Sequence, residues 1–229
     1  MSAAACVAVG SGTLNGGSFA TVLRSGKWSS AKLSSPSSAR NPLQPSISCV
    51  SATYCVAVAT PQFSTHSVQW TRTGTRWSDV ALASLSSSHL DTISCWAQGQ
   101  CVAGGFEGVN ALTARLNGSK WTFVTASPAT GTTLTITGLS CVNATNCQGV
   151  GATTSTTAPS GDSAATYTLG QSGLTFEIQT RLSAPPTSIS TETLSALSCP
   201  NVSNCVAIGT VEQIDVTGAV TSQGLSATN

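Results

Sequence analysis

The sequence predicts an all-β fold assembled from about five repeated units, each of four short antiparallel strands and roughly 46 residues. Three observations predict it. A cysteine pair separated by five residues recurs as Cys49/Cys55, Cys95/Cys101, Cys141/Cys147 and Cys199/Cys205, and Cys6 matches the second member of a fifth pair. The first cysteines of successive pairs lie 46, 46 and 58 residues apart, counted from 49 to 95, 95 to 141 and 141 to 199. Only 7% of residues are charged, against about 25% in an average soluble domain; Ser, Thr, Gly and short β-branched runs stand in their place.

Within a unit each element has its own signature. The first strand is a short apolar run that ends in Ser-Cys, as in Ile47-Ser48-Cys49. Five turn-prone residues (50–54) follow, and Cys55-Val-Ala-Val opens the second strand. A hairpin over five residues sets Cys49 opposite Cys55, at the short Cβ separation that a disulfide needs. Closing so small a loop stabilises by about 2 kcal/mol per unit in the chain-entropy model. The second strand is apolar on both faces, so burial from both sides is expected. A third strand follows, for example His66 to Arg72 or Ala111 to Leu116. A glycine turn then precedes an aromatic by three positions at Gly74/Trp77, Gly118/Trp121 and Gly173/Phe176, and by two at Gly26/Trp28. That aromatic opens the fourth strand. Trp70 on the third strand and Trp28, Trp77 and Trp121 after the turns are expected to pack between units.

Four antiparallel strands in about 46 residues is the arithmetic of a β-propeller blade; an immunoglobulin-like sandwich needs about twice that length. The chain reads as one propeller domain, 1-229, with units at approximately 1-42, 43-88, 89-134, 135-192 and 193-229. The low-complexity stretch 153–162 reads as a loop that lengthens the fourth unit. Aligning Cys6 with Cys55 starts the chain inside a hairpin, so the first unit is expected to be incomplete at its N-terminus. The tail Leu225-Ser-Ala-Thr-Asn resembles the beginning of another first strand, either of a longer array or of a closing strand for a five-bladed ring.

The sentence Leu-x-x-Ser-Cys-x5-Cys-Val-Ala-Val-Gly followed by Gly-x-x-Trp resembles cysteine-containing β-propeller repeats of secreted, mostly uncharacterised proteins of actinobacteria. The resemblance covers nearly the whole chain. The turn is also distantly similar to the end of the Asp-box of sialidase-like propellers, although the aspartate is replaced: the corresponding stretches read Thr-Arg-Thr-Gly and Arg-Leu-Asn-Gly. The resemblance implies the propeller fold and an extracellular or cell-surface setting, and it brings no catalytic residue with it.

The chemistry-bearing residues are few. Eight cysteines in regular pairs argue for disulfides and an oxidising compartment, because zinc sites use cysteines two to four residues apart in converging clusters. Cys6 is left as the free thiol. A net charge of +1 carries no electrostatic footprint for nucleic acid, and no apolar run reaches the roughly 20 residues of a membrane-spanning helix. No cofactor or metal site is expected. The acids Asp79, Asp91, Glu107, Asp162, Glu177, Glu192, Glu212 and Asp215 show no spacing that forces two onto one face, whereas glycoside hydrolysis needs a facing pair. Gly161-Asp162-Ser163 reads as a solvated turn, His66 as the start of a third strand and His89 as loop. Asn117, Asn143 and Asn201 head Asn-x-Ser/Thr triplets to which no function attaches. Trp96 stands out: it sits in the cysteine hairpin where other units carry Val50, Val142 or Pro200. An aromatic at that position is the candidate ligand contact, since it offers area at small entropic cost. The expected function is non-catalytic binding or scaffolding of a polysaccharide or a protein through loops on one face. The alternative is a sialidase-like or other glycoside hydrolase with acids gathered at a central channel.

Overall fold

The computed structural model of the chain describes residues 5–12, 17–34, 45–60, 66–82, 88–155, 162–170, 173–178, 189–214 and 217–228. In chain order these form five sheets. The first contains β1 (Ala5–Gly12), β2 (Gly17–Arg24) and β3 (Lys27–Lys32); the second β4 (Ser46–Ser51), β5 (Tyr54–Ala59), β6 (Ser67–Thr73) and β7 (Arg76–Leu82). The third contains β8 (Ser88–Ala97), β9 (Gln100–Glu107), β10 (Asn110–Asn117) and β11 (Lys120–Ala126). The fourth contains β12 (Thr132–Asn143), β13 (Asn146–Ser155), β14 (Asp162–Gly170) and β15 (Gly173–Ile178); the fifth β16 (Ile189–Asn201), β17 (Asn204–Ile214) and β18 (Val220–Thr228). Strands adjacent in sequence are adjacent in each sheet, as short hairpin connections require. The all-β, antiparallel repeat expected from the cysteine period is therefore present, with four strands in the second, third and fourth sheets and three described strands in the first and fifth.

The chain divides into two compact units, Met1–Ala103 with Arg115–Trp121, and Gly104–Ala114 with Thr122–Asn229. In the first unit, Ala20 and Leu33 of the first sheet meet Ala57, Ala59, Val68 and Trp70 of the second in one buried cluster, flanked by Val9, Ile47 and Trp77. Small residues on facing strands let the two sheets approach, and the Trp70 indole fills the remaining space. Its ring N–H finds a partner, as a buried indole must, by donating to the Ser34 carbonyl at 2.5 Å. In the second unit Val150 and Ala164 of the fourth sheet pack on Leu194 and Ala207 of the fifth, with Leu197 at the margin.

The strand-3 to strand-4 turn explains why the first repeat is one residue out of step. Thr73 pairs with Arg76 across Gly74-Thr75, and only Gly74 has a left-handed φ, +64°. Arg24 pairs with Lys27 across Ser25-Gly26, where both residues are left-handed, at φ 48° and 76°. Both are two-residue hairpin turns of the primed types that suit strand twist. Glycine takes the first central place in one and the second in the other, so the aromatic follows it at a different interval.

Several expectations change. The proposed loop 153–162 is strand at both ends: Thr153 pairs with Ser163 and Thr154 with Asp162, because the Ser/Thr run has the β propensity to extend the ladder; residues 156–161 lie outside the described part. His89 lies in β8 rather than in a loop. The strand starts early because Ser67 donates to the Ser88 carbonyl at 3.4 Å and the Leu90 N–H donates to the Thr60 hydroxyl at 2.8 Å. The tail is not the beginning of a new first strand. Leu225 pairs with Gly209 and Thr228 with Val206, so residues 220–228 are the third strand of the fifth sheet. Burial of the second strand from both sides holds for Cys55 to Ala59, all 0% exposed, but in β17 Val206 and Ile208 are 49% and 56% exposed. Trp28, expected between units, is 56% exposed. The reason is common to both: within its own compact unit, no further described sheet covers that outward face.

Candidate functional site: the disulfide hairpins and Trp96

All four cysteine pairs are bridged: Cys49–Cys55, Cys95–Cys101, Cys141–Cys147 and Cys199–Cys205, with Cα atoms 4.0 to 4.1 Å apart. Cys6 is free and exposed. Direct pairing of Cys49 with Cys55 and of Cys141 with Cys147 in the ladder supplies the short separation. The hairpin loop is tighter than the five-residue spacer suggests, because Ser51 pairs with Tyr54 and leaves only Ala52-Thr53 as the turn. The surplus residue is taken up by a register shift between Cys49 and Ser51, and again between Cys141 and Asn143. Val50 and Val142 are thus the extra residues of β-bulges, which re-aim a side chain out of the ladder.

Polar side chains close the turns from within. The Ser51 hydroxyl accepts from the N–H groups of Thr53 (3.2 Å) and Tyr54 (3.0 Å). The Asn143 Oδ1 accepts from the N–H groups of Thr145 and Asn146, both at 3.0 Å, and the Asn201 Oδ1 from Ser203 N–H at 3.0 Å. These two Asn-x-Ser/Thr asparagines are therefore Asx-turn residues, and the Asn117 Oδ1 accepts from Gln100 at 2.7 Å. One functional element escaped the sequence reading. The serine of Ser-Cys does more than end a strand at two of these sites: the Ser48 hydroxyl accepts from Cys95 N–H at 2.9 Å, and Ser140 from Cys199 N–H at 3.0 Å. It joins one repeat to the next. Its repetition in register with the cysteines was the signal available. Tyr54 adds a second link, its hydroxyl accepting from Gly99 N–H at 3.0 Å in the next hairpin turn.

Trp96 occupies the repeat position of Val50 and Val142, near the end of β8, and it is half-buried. The Arg115 guanidinium lies over its ring, 5.8 Å from the centroid, within cation–π range. Part of the indole therefore already has a partner within the protein, and the remainder faces solvent beside a cation. Of the other tryptophans, Trp121 donates to the Gln69 side chain at 2.7 Å and Trp70 is fully buried, which gives both structural roles.

Asp79 accepts from the Ser34 hydroxyl at 2.5 Å, and Asp91 is exposed on β8. Glu192 is 2% exposed with its Oε1 lacking a hydrogen-bond partner among the described residues. Asp162, Glu177 and Asp215 have side chains outside the described part. Among the described residues no group of three His, Cys, Asp or Glu able to hold a metal ion occurs, and no helix is long and apolar enough to cross a membrane.

Comparison with known proteins follows the same line. No protein-family model matches the chain, and no curated protein matches it either. Among solved structures it is similar to the crystal structure of a protein from Lactobacillus plantarum solved as a structural genomics target, with a TM-score of 0.53 and 11% identity. The match covers 98% of this chain and 67% of that one. The neighbour is β-rich and propeller-like with six blades; at this identity the likeness is one of fold alone.

Proposed function

We propose that this chain is a non-catalytic binding or scaffolding module that works outside the cell or on its surface. In this reading it is a β-propeller of about five blade units that contacts a polysaccharide or a protein through loops on one face. The four disulfides suit an oxidising, extracellular environment. The observation that carries the binding reading is the hairpin set. Each turn is locked by a bridge a few residues away, and one of them presents a half-exposed indole with a guanidinium on its face. Rigid elements that offer an aromatic beside a cation lose little entropy on contact. The fold itself assigns no activity.

The test is direct binding of the intact protein to a panel of soluble polysaccharides and cell-surface proteins, by calorimetry or biolayer interferometry, with the variant Trp96→Ala beside it. A saturable ligand whose affinity drops at least about 10-fold in W96A, with thermal stability retained, supports the reading. A panel with no saturable ligand would make the chain a structural array instead. Hydrolysis of a panel glycan that disappears when one acid is replaced would turn the reading to an enzyme.

A further inference from the structure

The first unit contains a cavity that neither the repeat pattern nor Trp96 accounts for. It lies between the first and second sheets, with a volume of about 150 Å³, and opens to solvent. Its walls include Val22, Arg24 and Ser29 from the first sheet, and Arg72, Thr75 and Trp77 from the second. The ladder explains why these residues meet. Val22 pairs with Ser29, and Arg24 lies two residues beyond Val22 on the same face of β2. Arg72 pairs with Trp77, so both project from one face of the second sheet. That is the face which, further along, buries Trp70 against the first sheet. The apolar contact therefore gives way at its outer end to a polar chamber.

Arg72 is out of place by the rule of the repeat. The residue before the last of the third strand is Leu23 in the first sheet and Leu116 in the third, and Leu116 is 1% exposed. Arg72 is also 1% exposed, yet it carries a charge. One of its nitrogens donates to the Ala52 carbonyl in the hairpin turn, which leaves further N–H donors on the guanidinium. A buried charge is costly unless it is paired. What lies near it is a second cation: Arg24 is close enough to disfavour the charged form of Arg72, in addition to the effect of burial. Among the described residues no carboxylate lines the cavity. Two guanidinium groups converging on one chamber, without an acid between them, is an arrangement completed by an anion.

We propose that this cavity binds the oxyanion of an acidic sugar, a carboxylate or a sulfate ester on a polysaccharide, between Arg24 and Arg72. The volume fits. At roughly 30 Å³ per water the chamber holds about five waters, which is room for one anionic group and part of its ring, and too little for a chain. Guanidinium forks match planar and tetrahedral oxyanions alike. The half-buried Trp77 at the wall offers a surface for the sugar ring, and the hydroxyls of Ser29 and Thr75 offer partners for its hydroxyl groups. The inference narrows the polysaccharide reading above and rests on it.

The experiment uses the full chain and three soluble polymers: polygalacturonate, which carries only carboxylates, dextran sulfate, which carries only sulfates, and neutral dextran. Binding is followed by calorimetry at low and at physiological salt, for wild type, Arg24→Gln, Arg72→Leu and Trp96→Ala. R72L introduces the residue that the neighbouring repeats carry, and R24Q alters an exposed side chain, so retention of the wild-type Tm is expected in at least one of them. The expected result is saturable binding of one acidic polymer, weakened by salt, and reduced at least 10-fold in R24Q and R72L. The polymer preferred, polygalacturonate or dextran sulfate, identifies the anion as carboxylate or sulfate. Binding of all three polymers that R24Q and R72L leave intact overturns this inference while keeping the broader binding reading. Loss in W96A together with retention in the arginine variants places the contact at the hairpin and also overturns it. No binding of either acidic polymer to well-folded wild type overturns it outright.

Discussion

Replacing Gly151 with alanine puts the tightest place in the fold under test. A Cβ on Gly151 would stand 1.9 Å from the Thr135 carbonyl oxygen, and one on Gly209 would stand 1.9 Å from that of Thr193, whereas real Cβ contacts essentially never fall below 3.0 Å. Each carbonyl must therefore retreat by at least about 1.1 Å. Neither is the end of a flexible side chain; both belong to first strands that continue past a register shift, between Ile136 and Gly138 in β12 and between Leu194 and Ala196 in β16. The Thr135 carbonyl also accepts the buried Tyr167 hydroxyl at 2.9 Å, a bond that does not survive a shift of this size. Overpacking costs about 1–3 kcal/mol, and leaving a buried polar group unpaired adds about 1–3 kcal/mol. The expected loss for G151A is thus about 2–6 kcal/mol, a large share of the 5–15 kcal/mol typical of a domain. The second sheet supplies the control. Ala59 occupies the equivalent place after Cys55 and already carries a Cβ there, fully buried. Ala59→Gly should cost only about 1 kcal/mol. Urea unfolding of the unreduced proteins, followed by far-UV circular dichroism, measures all three. G151A and G209A both within about 1 kcal/mol of wild type would refute the close-approach argument.

Three further outcomes are expected. Alkylation of the denatured, unreduced protein labels one thiol, Cys6, and mass spectrometry showing nine labels would overturn the disulfide assignment. Burial pushes the Tyr167 phenol well above its ordinary value, against the opposing effect of its bond to Thr135. Above pH 10 the unfolded chain thus gives up a proton that the folded chain keeps, so the Tyr167 contribution to stability, constant below pH 10, falls by up to about 1.4 kcal/mol per pH unit above it. Tyr167→Phe, compared with wild type after blocking Cys6, should flatten that slope, and an unchanged slope would show that another group titrates. Ser48→Ala removes the acceptor of Cys95 N–H and should cost about 1–2 kcal/mol by thermal unfolding; a neutral effect would mean that the hydroxyl does not join the repeats.

The fold was legible where the chain repeats itself. Cysteine spacing alone places Cys49 against Cys55, and the glycine-aromatic turn places the boundary between β6 and β7. What the repeat could not convey is what lies outside each unit. Trp28 and Trp77 are the same letter in the same sentence, yet Trp77 packs against the first sheet while Trp28 is 56% exposed. Burial of a blade face is a property of its neighbour. The tail was misread for a related reason: Leu225-Ser-Ala has the local pattern of a first strand, but an open edge on β17 takes it as a third. At the candidate site Trp96 was visible as an odd residue in a regular position, whereas its partner Arg115 lies 19 residues away and no local pattern announces it. The Arg24–Arg72 chamber depends on two ladders at once, and neither shows it alone.

Each bridge spans a sequence separation of six and joins strands of one hairpin, never two repeats. Under tension that locality has a consequence. An extended chain covers about 3.3–3.6 Å per residue, so a repeat of about 46 residues pulled from the fold would lengthen by about 150–165 Å, of which a bridge withholds only about 20 Å. Pulled from its two ends, the oxidised protein would yield nearly all of its length. The cross-links act as rivets within each plate, and what resists the separation of neighbouring plates inside a compact unit is a few hydroxyls, such as those of Ser48 and Tyr54, and a layer of apolar side chains.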